Sequence, residues 1–223
     1  LLTVAESWQA AGFFDREVTG GQSLCPLLSH SMGMRNVLHA VWTRQPTLMI
    51  PPEWLQEAPH RALQLLQDWP PNHVTAGPAL LDAIAQISKI LPEARKALRS
   101  LRVVVSSGSA WTHRNATAFA AARVANAFGM TETQQVLSTL LFTQTQSTCS
   151  ADVVDETCTS GLDQQLGLPL PGVSVAVRFD DPGSSTGCLF VRSGFKATGY
   201  VGQDDFGEWL DTGDVVRVVN DQL

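Results

Sequence analysis

From residue 22 to residue 128 the chain alternates short apolar runs with longer amphipathic ones, and this alternation limits the fold more than any other feature. "QSLCPLL" (22–28) reads as a buried strand, and "SMGMRNVLHAVWTR" sets Met34, Val37, Leu38 and Val41 at helical spacing. "PTLMI" is a short strand, and Pro51-Pro52 opens a helix that runs to about Trp69. "NHVTAG" is a strand leading into a turn, and "PALLDAIAQISKIL" is an amphipathic helix bounded by prolines, with Pro92 just after it. "LRVVVSSG" is a strong strand, "AWTHRNATAFAAAR" a helix after a small-residue turn, and "VANAFG" a strand again. Residues 1–12 read as the end of a helix closed by Gly12. Such alternation predicts an α/β fold with a mostly parallel sheet covered by helices on both faces. Ligands in such sheets bind beyond the carboxyl ends of the strands. Three loops fall there: Ser29-His30-Ser31, Ser106-Ser107-Gly108-Ser109, and Gly129-Met130-Thr131-Glu132.

The pattern changes after Cys149. "SADVVDETCTSGLDQQ" is polar and turn-rich, and "GVSVAVRF", "TGCLFVRS" and "GEWLDTGDVVRVV" follow as strands with turns between them. They predict a smaller, mostly antiparallel β unit. The sequence thus divides into an α/β part, 1–150, and a β-rich part, 151–223, with the boundary near 150 to 170.

Of 223 residues, 44% are apolar and 16% charged, a globular composition, and the net charge is −6. No basic run of five residues occurs, which argues against a nucleic-acid surface. No 18-residue apolar run and no secretory core segment is present, so the expectation is no membrane span and a cytoplasmic, reducing setting. The four cysteines form no C-x-x-C pair and have no histidine cluster beside them, which speaks against zinc.

"GSSTG" (183–187) has the G-x-S-x-G spacing of a hydrolase nucleophile elbow around Ser185. The elbow needs a helix after the serine. Here an apparent strand follows, so a hairpin turn fits better. His30 opens a loop between two serines at a strand end, whereas His39, His60, His73 and His113 have no such setting. The small residues of "SSGSA" let a flat ligand lie against the backbone, or simply make a tight turn. In "NAFGMTE", Gly129 permits close approach, Thr131 offers a hydroxyl to a phosphate oxygen, Glu132 a hard oxygen to Mg²⁺, and Phe128 a face to a planar base. A helix N-terminus after Gly129, capped by Thr131, fits the spacing equally well. "LDTGDVVRV" sets Asp214 where one carboxylate can accept two hydroxyls, or where an ordinary turn stands.

Taken in order, these segments resemble the adenylate-forming superfamily of acyl- and aryl-CoA synthetases, luciferases and nonribosomal peptide synthetase adenylation domains. "NAFGMTE" is similar to the family's N-x-Y-G-x-T-E, with Phe128 for Tyr. "LDTGDVVR" is similar to Y-R-T-G-D-L-x-R, with Leu210 and Asp211 for Tyr and Arg. "GLPLPGVSVAV" resembles G-x-P-x-P-G-x-x-x-x-[IV], and "TGCLFVRSGFKATGY" resembles G-E-L-x-V-x-G-x-x-x-x-x-G-Y with Cys188 for Glu. "PLLSHSMG" resembles P-L-x-H-x-x-G, and "LRVVVSSGSAW" resembles L-R-x-x-x-x-G-G-A-x-L with Ser107 for the first glycine of the pair.

The resemblance implies that ATP lies across the strand ends. Phe128 would stack on adenine beside Ser107-Gly108-Ser109, Thr131 would bond the α-phosphate, Glu132 would hold Mg²⁺, and Asp214 would accept both ribose hydroxyls. His30 would sit near the substrate carboxylate, with Met34, Ser106 and Met130 as further pocket candidates. The implied reaction joins a small carboxylic acid to AMP, then passes the acyl group to the thiol of CoA or of a carrier protein's phosphopantetheine arm. "LSHSMGM" lacks the acid that pairs with an α-ammonium in amino-acid-activating relatives, which favours an acid without an α-amine; "TETQQVLS" keeps aminoadipate-reductase-like domains as the minority comparison. The family's phosphate loop and its lysine-bearing C-terminal domain have no counterpart in the sequence, and Asp221-Gln222-Leu223 resembles the approach to that domain. The chain therefore reads as an excerpt, expected not to adenylate by itself. The alternative is a non-catalytic homologue or split fragment acting as a scaffold.

Overall fold

The structure, a computed structural model, describes residues 2–12, 22–25, 30–111, 117–119, 121–142 and 166–218. Ser29, His113, Cys149, Cys158, the polar stretch 150–165 and Asp221-Gln222-Leu223 lie outside the described residues.

Helix α1 (Leu2–Ala10) precedes strand β1 (Gln22–Cys25), helix α2 (Ser31–Thr43) and strand β2 (Thr47–Met49). The stretch expected as one helix after Pro51 is two, α3 (Pro52–Glu57) and α4 (Pro59–Asp68), because Pro59 cannot donate its missing N–H and starts a new helix after Ala58. Strand β3 (Pro71–Ala76) and helix α5 (Pro78–Ile90) follow, and Pro92, read as a stop, also begins helix α6 (Pro92–Leu98). Strand β4 (Val103–Ser107) leads to strand β5 (Arg123–Met130); of the helix expected between them, the described residues show a 3₁₀ turn at Thr117–Phe119. Strands β6 (Gln134–Phe142), β7 (Leu168–Pro169), β8 (Val173–Arg178), β9 (Thr186–Ser193) and β10 (Leu210–Arg217) complete the chain.

The large sheet runs β2-β1-β3-β4-β5-β6-β7. Its first five strands are parallel, and β6 and β7 are antiparallel to their neighbours. The small sheet, β10-β9-β8, is wholly antiparallel. The expected α/β architecture with a mostly parallel sheet and a smaller antiparallel one is therefore present.

Strand β4 shows why both faces of the large sheet are dry. Val104 packs with Leu81, Ile84, Leu98, Trp111 and Phe119 on one face. Its neighbours Val103 and Val105 point the other way and pack with Val4 and Trp8 of α1. Successive side chains of a strand alternate sides, so an uninterrupted apolar run needs cover on both. A third cluster joins Val136 and Leu137 of β6 to Leu189, Val191 and Val216 of the small sheet. Arg123 ties α1 to β5 by donating to the carbonyls of Gly12 and Ala11 at 2.8 and 3.1 Å. Among the described residues no helix is long and apolar enough to cross a membrane.

Candidate functional site

The carboxyl ends of β3, β4 and β5 open onto two adjoining hollows. The first, about 460 Å³, is lined by His30, Ser31, Met32 and Arg35 at the start of α2, by Gly77-Pro78-Ala79 after β3, by Ser107-Gly108-Ser109, and by Gly129, Met130, Thr131 and Gln134. The second, about 480 Å³, is lined by Gly108, Ser109 and Ala110, by Asn126 through Met130, and by Leu166, Thr212 and Asp214. They share Gly108, Ser109, Gly129 and Met130, so they form one bent cleft with its waist at the tips of β4 and β5.

Apart from Met130, the waist is glycine and serine. Gly108 has φ +99° and open space where a Cβ would stand, which a larger residue would both strain and fill. The loop after β4 is fixed from behind: buried Trp111 donates its indole N–H to Asp82 of α5 at 2.7 Å.

The β5 tip departs from the sequence expectation. The strand read as "VANAFG" runs one residue further, through Met130, no helix begins after Gly129, and residues 131–133 turn β5 back into β6. Thr133, fully buried and not singled out from the sequence, holds this turn. Its Oγ1 accepts the Met130 amide at 3.4 Å and donates to the Gln134 carbonyl at 3.2 Å. Gln134 takes a left-handed conformation, φ 58°, and its side-chain amide donates to the Thr131 carbonyl at 3.1 Å. A threonine three residues beyond Met130 was the available signal, but hairpin and helix cap ask for the same residue types.

Asp214 is presented by a bulge. The β9–β10 pairing shifts between Asp211 and Val215, so Thr212-Gly213-Asp214 leaves the ladder. Gly213 supplies φ +75°, Thr212 donates its hydroxyl to the Leu189 carbonyl at 3.0 Å, and the same oxygen accepts the Asp214 amide at 3.1 Å. The exposed Asp214 carboxylate thereby shares the second hollow with Phe128 and Gly129.

The remaining expected residues are placed differently. Glu132 lines neither hollow; Oε1 accepts a hydrogen bond from the Tyr200 hydroxyl at 2.5 Å, and its carbonyl accepts the Ala197 amide at 2.6 Å. That carboxylate raises the Tyr200 pKa, because a hydrogen bond to it favours the protonated phenol. Met34 is 60% exposed and lines neither hollow, because Ser31 and Arg35, four residues apart, form the inward stripe of α2. Ser106 is fully buried, its Oγ without a hydrogen-bond partner, and also lines neither. Ser185 lies between β8 and β9 in a hairpin whose next element is a strand, not the helix a nucleophile elbow requires.

Around α2 the fold buries polar groups for which the sequence offered no functional setting, His39 and His73 among them. Arg35 stacks over the Trp8 ring at 4.4 Å from its centroid, and Asn36 donates to the Thr75 carbonyl at 3.3 Å. His39 and His73 are both buried, and His73 Nε2 lies 3.1 Å from Thr75 Oγ1. Burial, with help from the Arg35 charge, lowers the His39 pKa to about 4; burial, then the His39 and Arg35 charges, lower that of His73 to about 3. Both imidazoles are neutral at pH 7.

Comparison with known proteins agrees with this architecture. The chain matches the model of the AMP-binding enzyme family over residues 8–201, and it belongs to that family. Among solved structures, O-succinylbenzoate coenzyme A synthetase (MenE) from Bacillus subtilis, in complex with AMP, superposes with a TM-score of 0.70 at 16% identity, over 99% of this chain and 43% of that one. McyG A-PCP complexed with phenylalanyl-adenylate gives 0.70 at 17%, over 100% and 36%. A malonyl-CoA ligase ternary product complex with methylmalonyl-CoA and AMP gives 0.69 at 22%, over 99% and 46%. The chain thus spans under half the length of each of these three. No curated protein sequence matches it.

Proposed function

We propose that this chain is the nucleotide- and acid-binding core of an enzyme that activates a carboxylic acid as its acyl-adenylate. One observation carries the reading: Asp214, from the small sheet, and Phe128 and Gly129, from the large one, line a single hollow that joins a second hollow lined by His30 and Thr131.

In this reading ATP occupies the second hollow and reaches into the waist. Phe128 stacks on adenine beside Ser107-Gly108-Ser109, worth roughly 1–3 kcal/mol. Asp214 accepts the ribose hydroxyls, each charge-assisted bond contributing roughly 1.5–3 kcal/mol. The acid occupies the first hollow, with His30 and Met130 against it and its carboxylate directed at the α-phosphorus. Attack by a carboxylate oxygen forms the acyl–phosphate bond as the bond to pyrophosphate breaks. Negative charge on the α-phosphate rises in that step, and the Thr131 hydroxyl is the donor at hand to stabilise it.

Glu132, which lines neither hollow while it accepts the Tyr200 hydroxyl, has the hard oxygens Mg²⁺ prefers and would hold the ion on exchanging that partner. Mg²⁺ commonly keeps its waters and phosphate oxygens and takes only one or two protein carboxylates. When bound, Mg²⁺ would supply charge neutralisation on the phosphates. The acyl acceptor in this reading is a thiol, of CoA or of a carrier protein.

ATP–pyrophosphate exchange by the full-length protein, screened over carboxylic acids with and without an α-amine, tests the proposal. Exchange that depends on one class of acid supports it. No exchange with any acid, in a protein that also fails to bind ATP, overturns it.

A further inference from the structure

The first hollow contains a cation that no acid among the described residues neutralises. Arg35 lines that hollow and is only 6% exposed. Its Nε and Nη2 are buried and have no hydrogen-bond partner. Among the described residues the ion pairs, Arg178–Asp211 and Arg192–Glu208, belong to the small sheet and its flanking turn, and no Asp or Glu among them lines the hollow. The Trp8 ring under the guanidinium accepts part of its charge but none of its N–H donors. Burial lowers the Arg35 pKa to about 9, so the group remains cationic at neutral pH. A purely structural arginine would have its planar donor fork satisfied, since an unpaired buried charge is among the most destabilising features a fold can keep. A site that tolerates one is a site that awaits an anion.

We propose that Arg35 receives a second carboxylate on the acid, so that the substrates are small dicarboxylic acids activated at one end and held at the other. This rests on the adenylation reading for which end reacts, but not for the pairing itself. The two free donors, Nε and Nη2, match the two oxygens of a carboxylate in the bidentate geometry that favours arginine. The reacting carboxylate is a poorer candidate. It has to meet the nucleotide beside Thr131 at the β5–β6 turn, whereas Arg35 enters the hollow from α2, over the Trp8 ring. Among the described lining residues no other Lys or Arg and no Asp or Glu is present, so apart from His30 no second ionisable side chain faces the acid there. A hollow of about 460 Å³ accommodates a short diacid.

The test is calorimetric titration of the full-length protein with butanedioic, pentanedioic and hexanedioic acids, and with monocarboxylic acids of the same carbon number. The best diacid should bind at least about tenfold more tightly than its monoacid counterpart, as a charge-assisted bidentate pair requires. Arg35→Met should abolish that difference and Arg35→Lys should keep part of it. Should Arg35→Met fail to fold, the wild-type comparison decides alone: monoacids that bind as tightly as every diacid overturn the proposal. Equal loss of monoacid and diacid binding in Arg35→Met also overturns it, because the arginine would then hold the reacting carboxylate. Pyrophosphate exchange with the same acids separates the two readings. Arg35-dependent diacid binding without exchange defeats adenylation and leaves this assignment standing, while exchange with monoacids only does the reverse.

Discussion

The Tyr200 hydroxyl donates to Oε1 of Glu132 across 2.5 Å, joining residues 68 apart in sequence. Tyr200 stands in the segment after β9, and the Ala197 amide of the same segment bonds the Glu132 carbonyl. The proposed metal-binding carboxylate is thus held by the small-sheet side of the molecule rather than by its own turn. Glu132→Gln in the full-length protein should lower adenylation by on the order of 10²-fold, as loss of a charged group acting on phosphate charge does, with the thermal midpoint little changed. Tyr200→Phe should keep activity and lower the Mg²⁺ concentration for half-maximal rate a few-fold, because the phenol and the metal compete for one oxygen. A Glu132→Gln enzyme with wild-type rate would remove Glu132 from the site.

Asp214 acts, in the proposed reading, only on the sugar. Asp214→Asn should therefore raise the KM for ATP by about 10- to 100-fold, the loss of one or two charge-assisted bonds. The same variant should barely distinguish ATP from 2′-deoxy-ATP, whereas the wild type should favour ATP. Unchanged discrimination between the two nucleotides would place the ribose elsewhere.

The parallel part of the fold was readable at β4, whose run Val103-Val104-Val105 is buried throughout and leads into Gly108, and at β3, which gives way at Gly77-Pro78 to a helix. What the sequence hid was pairing. The turn at Thr131–Thr133 uses residues that also cap helices, so the choice between hairpin and helix depended on β6 lying alongside β5, a contact that local spacing does not encode. Asp214 was visible as a carboxylate beside Thr212-Gly213, but its delivery to Phe128 depends on a bulge and on how two sheets pack. Arg35 was not visible at all, since one arginine in an amphipathic helix reads as a solvated face; only its burial against Trp8 makes it unusual.

Two glycines of the small sheet should separate folding from binding. A Cβ at Gly187 would run into the Arg178 carbonyl oxygen and come within 2.8 Å of Val177 Cγ1, between paired strands that cannot part cheaply. Gly187→Ala should cost about 1–3 kcal/mol in denaturant unfolding, as overpacking does, with the KM for ATP unaltered in the folded fraction. At Gly213 a Cβ meets nothing within 4 Å, and only φ +75° opposes it. Gly213→Ala should cost about 1–2 kcal/mol and also raise the KM for ATP, because relaxing the bulge re-aims Asp214. Equal effects of both changes on ATP affinity would show that the bulge does not aim the carboxylate.

His39 and His73 predict how the fold responds to acid. Their folded pKa values, about 4 and about 3, lie below the ordinary 6.5, so the charged imidazole is disfavoured in the native state. Below pH 6.5 the unfolded chain takes up protons that the folded chain refuses, and stability falls as pH falls. The contribution is complete above that pH and is lost progressively towards pH 4, amounting to about 3 kcal/mol for His39 alone. Urea midpoints measured at pH 7, 6, 5 and 4.5 should therefore decline steadily, with a slope approaching two protons. His39→Gln keeps a neutral polar side chain of comparable length and should flatten that slope by close to one proton, even if it lowers stability at pH 7. A midpoint that stays level from pH 7 to pH 5 would mean that water reaches these imidazoles in the native state, and the buried polar layer between α2 and β3 would have to be redrawn.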